Sequence, residues 1–215
     1  MSKKLKIGIT QRVDRVVSYD ESRDCLDQRL IDWVRSSDFI PVPIPNGLVN
    51  ISLSDNSQPS LDIWLEQICI DAVLLSGGND IGEIKHRDYT ERHLLLWAKK
   101  HHKPVLGICR GMQMMGVFAG GELIEIKNHV KQRHQLQVKG NNYERFPRSV
   151  NSFHNFALKE CPTGYEILAE SEDASIEAMK HEKYSWEGWM WHPEREIPYN
   201  PIDQYRFQRI VNNAK

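Results

Sequence analysis

In the first half of the chain, short apolar runs alternate with stretches of helical periodicity, and this pattern constrains the fold more than any other feature. Residues 5–9, 72–75 and 104–108 are largely apolar runs of strand length. Runs that do not alternate with polar residues suit strands buried on both faces, the condition of a parallel sheet covered by helices. Between them, Leu26, Leu30, Trp33 and Val34 recur at i, i+4, i+7 and i+8. That spacing predicts a helix over about 21–36, with Ser18 or Asp20 as its cap. Residues 87–102, around Leu94, Leu95, Trp97 and Ala98, predict a second helix, and 112–118, closed by Gly120-Gly121, a third. Residues 39–44 are apolar but broken by Pro41 and Pro43, and 50–60 read as a polar loop. The second half is richer in strand-like segments, at 122–126, 136–138, 165–169, 176–180 and 187–191, before a closing helix over 202–212. Strands alternating with helices imply βαβ units. The expected fold is α/β: a three-layer sandwich, its mostly parallel central sheet flanked by helices, in a single domain over 1–215.

In such sheets, sites form outside the carboxyl ends of the strands. Three ends carry unusual residues: Thr10-Gln11-Arg12, Ser76-Gly77-Gly78 and Cys109-Arg110-Gly111. The segment Gly107-Ile108-Cys109-Arg110-Gly111 joins a strand to a helix, which is the logic of a nucleophile elbow. Glycines on both sides permit the sharp turn, and a helix N-terminus favours thiolate over thiol. The alternative is a structural cysteine in a glycine-rich turn. Gly77-Gly78, at the end of a neighbouring strand, can offer an unshielded N–H of Gly78 to a developing oxyanion, partnered by the N–H of Arg110.

Near the end of the chain stands Trp191-His192-Pro193-Glu194. Pro193 biases His192 toward extended backbone, where residues i and i+2 project to the same side. Glu194 can then hold one imidazole nitrogen of His192 and leave the other for Cys109. Nucleophile, base and orienting carboxylate form a triad in the generalised sense. Alone, the tripeptide is equally a surface turn; its force comes from the combination with the elbow and the glycine pair. Arg12, on the same rim, is a candidate for binding phosphate oxygens.

These residues resemble the class I glutamine amidotransferase-like superfamily, of flavodoxin-like architecture. The similarity runs in order through Ile7-Gly8-Ile9-Thr10, Ser76-Gly77-Gly78-Asn79-Asp80, Arg87-Asp88, Cys109-Arg110-Gly111-Met112-Gln113, Asn151-Ser152-Phe153-His154 and His192-Pro193-Glu194. Arg110 resembles the free-standing γ-glutamyl hydrolases, typified by those of γ-glutamyl-γ-aminobutyrate, more than the synthetase-linked glutaminases. The resemblance implies cysteine-dependent hydrolysis of a γ-glutamyl amide. It implies that Gln113 holds the γ-glutamyl group and that Ser152, Phe153 and His154 lie over its α-amino and carboxylate groups. Ile9-Thr10-Gln11-Arg12, Ser18-Tyr19, residues 151–157 and 176–181, and His192-Pro193-Glu194-Arg195-Glu196 further resemble a subgroup that cleaves γ-glutamyl nucleoside diphosphoramidates in making the phosphoramidate decoration of bacterial capsules. The short segment 81–86 departs from the γ-aminobutyrate-type hydrolases and agrees with a bulkier, nucleotide-linked leaving group. The rivals are a catalytically silent module on the same fold and a partner-dependent glutamine amidotransferase subunit.

The charge balance, 28 basic against 29 acidic side chains, offers no basic excess for nucleic acid or a membrane surface. The N-terminal apolar run is too short for a signal-peptide core, and a cytoplasmic location is expected. Cys25, Cys69 and Cys161, scattered and without a CxxC pair, read as free thiols. No metal or organic cofactor is expected: His101-His102 are adjacent, and His129 and His134 lack acidic or cysteine companions at ligand spacing. The expected partner is a small γ-glutamyl substrate; a homodimer stays open.

Overall fold

The structure, a computed structural model, describes residues 4–140 and 146–213. Residues 1–3 of the N-terminal stretch, and the last two of the single domain expected over 1–215, lie outside them. The chain runs β1 (Lys6–Thr10), β2 (Arg12–Val16), β3 (Glu21–Cys25), α1 (Gln28–Ser36), β4 (Ile40–Ile44), α2 (Pro59–Ile68), β5 (Ala72–Leu75), α3 (Lys85–Lys100), β6 (Val105–Ile108) and α4 (Arg110–Phe118). It continues through β7 (Leu123–Glu125), β8 (Val130–Gln135), β9 (Gln137–Val138), β10 (Ser149–Phe153), β11 (Phe156–Leu158), β12 (Tyr165–Glu170), β13 (Ile176–His181), β14 (Trp186–Trp189) and α5 (Pro201–Asn212).

Eight strands form the main sheet in the order β4-β1-β5-β6-β14-β13-β12-β9. The first five are mutually parallel, and β13, β12 and β9 extend the sheet antiparallel. Counted among the parallel strands alone, the order is 2-1-3-4-5, the flavodoxin-like winding. Side chains alternate across each strand. Ala72 and Leu74 face one layer with Trp33, Val34, Phe207 and Ile210 of α1 and α5. Val73 and Leu75 face the other, with Leu61, Leu65, Leu94, Leu95 and Met112 of α2, α3 and α4. The three-layer α/β sandwich expected from the sequence is the fold observed.

Several elements differ from the sequence expectation, each for a physical reason. The helix predicted from Glu21 begins at Gln28, where the Asp27 carboxylate accepts the Arg29 N–H at 3.0 Å as an N-cap. Residues 21–25 instead pair with β2 as an antiparallel hairpin, Arg12 opposite Cys25 and Val16 opposite Glu21. That hairpin is mostly polar and exposed, so it leaves no apolar signature. The proline-broken run 39–44 contains the edge strand β4, hydrogen-bonded on one side only, where Pro41 and Pro43 are tolerated. The loop expected over 50–60 gives way at Pro59 to α2, with proline in the first turn where its missing N–H is harmless.

Candidate active site

Strand β6 is flanked by β5 and β14, with Leu75 and Gly188 both opposite Gly107. Three neighbouring parallel strands thus deliver Ser76-Gly77-Gly78, Cys109 and Trp191-His192 to one edge of the sheet. Cys109 follows β6 directly and takes φ 52°, ψ −108° before α4 begins at Arg110. A non-glycine residue in that region carries about 1–3 kcal/mol of backbone strain and persists only where its surroundings enforce it. The Cys109 N–H donates to the Trp189 carbonyl at 2.7 Å, and the Cys109 carbonyl accepts from the Gln113 N–H at 3.1 Å. A methyl group on Gly107 would stand 2.6 Å from the Gly111 carbonyl carbon and from Met115 Sδ. One on Gly111 would overlap the Leu75 carbonyl oxygen. The two glycines let α4 pack against the sheet closely enough to hold the turn. The first N–H groups of α4 have no acceptor within the helix and carry the positive end of its dipole.

His192 is in extended backbone, φ −107°, ψ 91°, and Pro193 opens the short 3₁₀ turn that returns Glu194 beneath it. His192 Nδ1 lies 2.7 Å from Glu194 Oε1, and both side chains are buried. Cys109 acts on the same imidazole and favours its charged form. Burial is the largest influence on the ring and works against its charge. The combined attraction of Glu194 and Cys109 overcomes it and lifts the His192 pKa from 6.5 to about 9. The ring therefore holds its proton at neutral pH. Asn151 clamps it from the backbone side: its Oδ1 accepts the His192 N–H at 3.0 Å and its Nδ2 donates to the His192 carbonyl at 2.8 Å. Phe153 packs edge-on against the imidazole, ring centroids 5.9 Å apart. Gly77 lies so close that a methyl group there would stand 2.6 Å from His192 Cε1.

Beneath the glycine pair runs a buried charge network. Arg87, without exposed side-chain surface, donates to the carbonyls of Ser76 (2.7 Å), Gly77 (2.9 Å) and Gly78 (2.6 Å) and to Glu91 Oε1 (3.1 Å). Glu91 also accepts from Thr10 Oγ1 at 2.9 Å and from Arg110, whose other terminal nitrogen binds Asp88. Two guanidinium groups face two carboxylates, so the network is formally neutral. It fixes the carbonyls of 76–78 and turns the Arg110 side chain away from solvent, leaving its backbone N–H at the start of α4. Gly78 has φ +92°, a conformation that glycine adopts without strain.

A crevice at this edge is lined by Arg12, Cys25, Gly77, Gly78, His192 and Arg195 among others. Arg12 is half-exposed, pairs with Asp14 at 2.9 Å, and lays its aliphatic stem against Gly78. Arg195 stacks over Phe153 at 4.5 Å. The remaining sequence candidates are placed as follows. Gln113 is buried and its Nε2 donates to the Phe156 carbonyl at 2.8 Å. Ser152 is fully buried and its hydroxyl donates to the His129 carbonyl at 2.6 Å. His154 is buried with Nδ1 3.0 Å from the Phe156 carbonyl and Nε2 3.7 Å from Glu177 Oε1. Sequence reasoning passed over Asn151 as a clamp, Arg195 and Cys25 as crevice residues, and Arg87 and Glu91 as supports. Arg195, directly after Glu194, was the one that proximity to the His192–Glu194 pair could have flagged.

One expectation is corrected. His129 and His134 do have an acidic companion: Glu177, with no exposed surface, lies in a group with both, all ligand atoms within 4.8 Å. Spacing along the chain did not reveal it because Glu177 comes from β13, beyond several intervening elements.

A 2-1-3-4-5 sheet with a strained cysteine turn beside a buried His–Glu pair is the architecture of the class I glutamine amidotransferase-like proteins. Within that class the chain belongs to the Peptidase C26 family, which matches residues 6–194, and it is a hydrolase acting on amide-type C–N bonds. It is 34% identical over 207 residues to the γ-glutamyl-CDP-amidate hydrolase of Campylobacter jejuni subsp. jejuni serotype O:2, covering 91% of this chain and 93% of that one. It is 30% identical over 169 residues to a glutamine-hydrolysing GMP synthase subunit of Archaeoglobus fulgidus, covering 74% and 82%. Among solved structures, a putative GMP synthase subunit from Thermoplasma acidophilum superposes with a TM-score of 0.69 at 19% identity, covering 100% of this chain and 96% of that one. A glutamine amidotransferase from Thermotoga maritima superposes at 0.63 and 18% identity, covering 99% and 91%. Both share the fold. Among the described residues, no helix is long and apolar enough to cross a membrane.

Proposed function

We propose that this chain hydrolyses a γ-glutamyl phosphoramidate, releasing glutamate and a nucleoside diphosphoramidate, with Cys109 as nucleophile, His192 as acid and base, and Glu194 as its orienter. The Cys109 sulfur attacks the γ-carbonyl carbon as thiolate, forming a C–S bond. The oxyanion is received by the N–H groups of Gly78 and Arg110, a type of contact whose loss costs about 3–4 kcal/mol. The C–N bond then breaks, and the departing nitrogen takes the proton from the His192 imidazolium. Water attacks the thioester carbonyl with His192 accepting its proton; the C–S bond breaks, the thiolate is restored and glutamate leaves. Gln113 and Phe153 bound the glutamyl end.

The observation that carries the choice of leaving group is the pairing of two guanidinium groups, Arg12 and Arg195, with His192 in one crevice. Guanidinium groups match phosphate oxygens in charge and geometry. The similarity to a γ-glutamyl-CDP-amidate hydrolase over most of both chains supports the same reading. A second reading, a glutaminase working with a synthetase partner, is favoured by the similarity to the glutamine-hydrolysing component of GMP synthase.

The test is a comparison of kcat/KM on γ-glutamyl-CDP-amidate, glutamine and γ-glutamyl-γ-aminobutyrate, with Cys109→Ala as control. The proposal expects the nucleotide substrate to lead and Arg12→Ala to raise its KM about tenfold while sparing the small amides. Equal rates on all three, or glutaminase activity only with an added synthetase, would overturn it.

A further inference from the structure

Away from the catalytic cysteine, three buried histidines and one buried carboxylate converge between the β8/β10 ribbon and the main sheet. His129 precedes β8, His134 lies within it, His154 follows β10, and Glu177 projects from β13. Glu177 has no exposed surface, His129 is 2% exposed, His154 4% and His134 9%, so the cluster is screened from water. His129 Nδ1 and His154 Nε2 approach the same Glu177 oxygen at 3.8 and 3.7 Å. Adjacent imidazole rings stand 4.2 and 4.8 Å apart, centroid to centroid.

The hydrogen bonding of the cluster is one-sided. His129 Nε2 is 2.9 Å from Asp173 Oδ2, and His154 Nδ1 is 3.0 Å from the Phe156 carbonyl. Each of those acceptors calls for an N–H on the outer nitrogen, which leaves the inner one as the donor atom of a neutral ring. His134 turns Nδ1 toward Glu172, 3.9 Å away. On the inside, His129 Nδ1, His134 Nε2, His154 Nε2 and both Glu177 oxygens are buried with no hydrogen-bond partner among the described residues. Five such orphaned atoms in one buried cluster are costly, because each forfeits its hydration without compensation. One or two such atoms would be ordinary; a convergent set backed by outer acceptors is the arrangement of a metal site, where the surrounding groups set tautomer and ring direction.

We infer that His129, His134 and Glu177, whose ligand atoms lie within 4.8 Å of one another, bind a divalent transition ion of the zinc type, and that His154, with Nε2 3.7 Å from Glu177 Oε1, moves in as the fourth ligand. Three imidazoles and one carboxylate suit zinc in donor type and in number. Ligand bonds of about 2.0–2.1 Å imply donor separations of about 3.4 Å in a tetrahedron, close to the separations seen from Glu177. With four protein ligands the site is closed, so the ion is structural. It ties the ribbon to β13. The same ribbon carries Asn151, and both the Ser152 hydroxyl and the His154 N–H donate to the His129 carbonyl. Binding displaces no protein partner; it requires neutral imidazoles and an ionised Glu177.

The test uses the full chain, stripped with a chelator and titrated with Co²⁺ as a spectroscopic probe, then with Zn²⁺ by calorimetry. The expected result is one equivalent of Co²⁺ with the intense visible bands of four-coordinate cobalt, displaced by Zn²⁺, and a higher Tm with Zn²⁺ than without. His134→Ala and Glu177→Gln should each weaken binding at least tenfold, while Cys109→Ala keeps the stoichiometry and the spectrum. Circular dichroism of the variants shows that they are folded; should one fail to fold, the cobalt spectrum of the wild type and of Cys109→Ala decides alone. No cobalt band in the wild type, or a band lost with Cys109→Ala and kept with His134→Ala, would overturn the inference.

Discussion

The His192–Glu194 pair allows a prediction with a worked magnitude. A pKa of about 9 against an ordinary 6.5 means that the folded environment favours imidazolium by about 3 kcal/mol. Burial alone would push the ring the other way, so the attraction supplied by Glu194 and Cys109 is larger than that net figure. Glu194→Gln keeps the shape and an acceptor for the Nδ1 proton while removing the charge. The His192 midpoint should then fall by about 2 pH units or more. Because the folded-state pKa is raised, the stabilisation is complete below pH 6.5 and disappears as pH rises through about 9. Wild type should therefore lose stability between those limits, and the variant should lose much less. The assay is an NMR titration of the His192 Cε1–H with urea melts at matched pH. The rate of amide hydrolysis should drop on the order of 10²–10⁴-fold, the usual weight of a positioned acid–base group. A variant whose His192 still titrates near 9, or a wild type that titrates at or below 6.5, would refute the reasoning.

Other substitutions probe the scaffold. Gly111→Ala places a methyl group onto the Leu75 carbonyl and should abolish soluble expression or activity, whereas Gly47→Ala, with open space around it, should be silent; expression yield and thermal melts decide. Asn151→Ala leaves the buried N–H of His192 unpaired and its carbonyl with the Arg195 N–H alone, at a cost of about 1–3 kcal/mol, and should lower kcat more than it raises KM. Burial raises the Asp203 pKa from 3.8 to about 7, so the folded state retains a proton that the unfolded chain gives up and stability falls as pH rises between those values. Asp203→Asn should raise Tm, with a gain that grows from pH 5 to pH 8.

The features most legible in the sequence were those enforced by local sterics. Glycines two residues either side of Cys109 report a turn that admits no Cβ at either place. Pro193 after His192 reports the extended backbone of that residue, but not the 3₁₀ turn over Pro193–Arg195 that brings Glu194 back to it. The parallel strands were legible because burial on both faces removes polar residues from them. What stayed hidden was polar or long-range. The β2/β3 hairpin, which carries Arg12 and Cys25 to the crevice, buries too little apolar surface to mark its sequence. Asn151 meets His192, and Glu177 meets His129, only through the pairing of distant strands, and a side-chain amide or carboxylate has no periodicity to betray such a contact. Arg110 illustrates the middle case: its place directly after Cys109 was plain, but its side chain is committed to Asp88 and Glu91 inside the protein.

The central claim is that the glutamyl group passes through a bond to one sulfur. Acid-quenching the enzyme during turnover of a γ-glutamyl substrate, followed by peptide mapping by mass spectrometry, tests it directly. The expected result is a glutamyl adduct on the peptide bearing Cys109, absent from Cys25, Cys69 and Cys161 and absent altogether from Cys109→Ala. Undiminished hydrolysis by Cys109→Ala, or an adduct that maps to another residue, would contradict it.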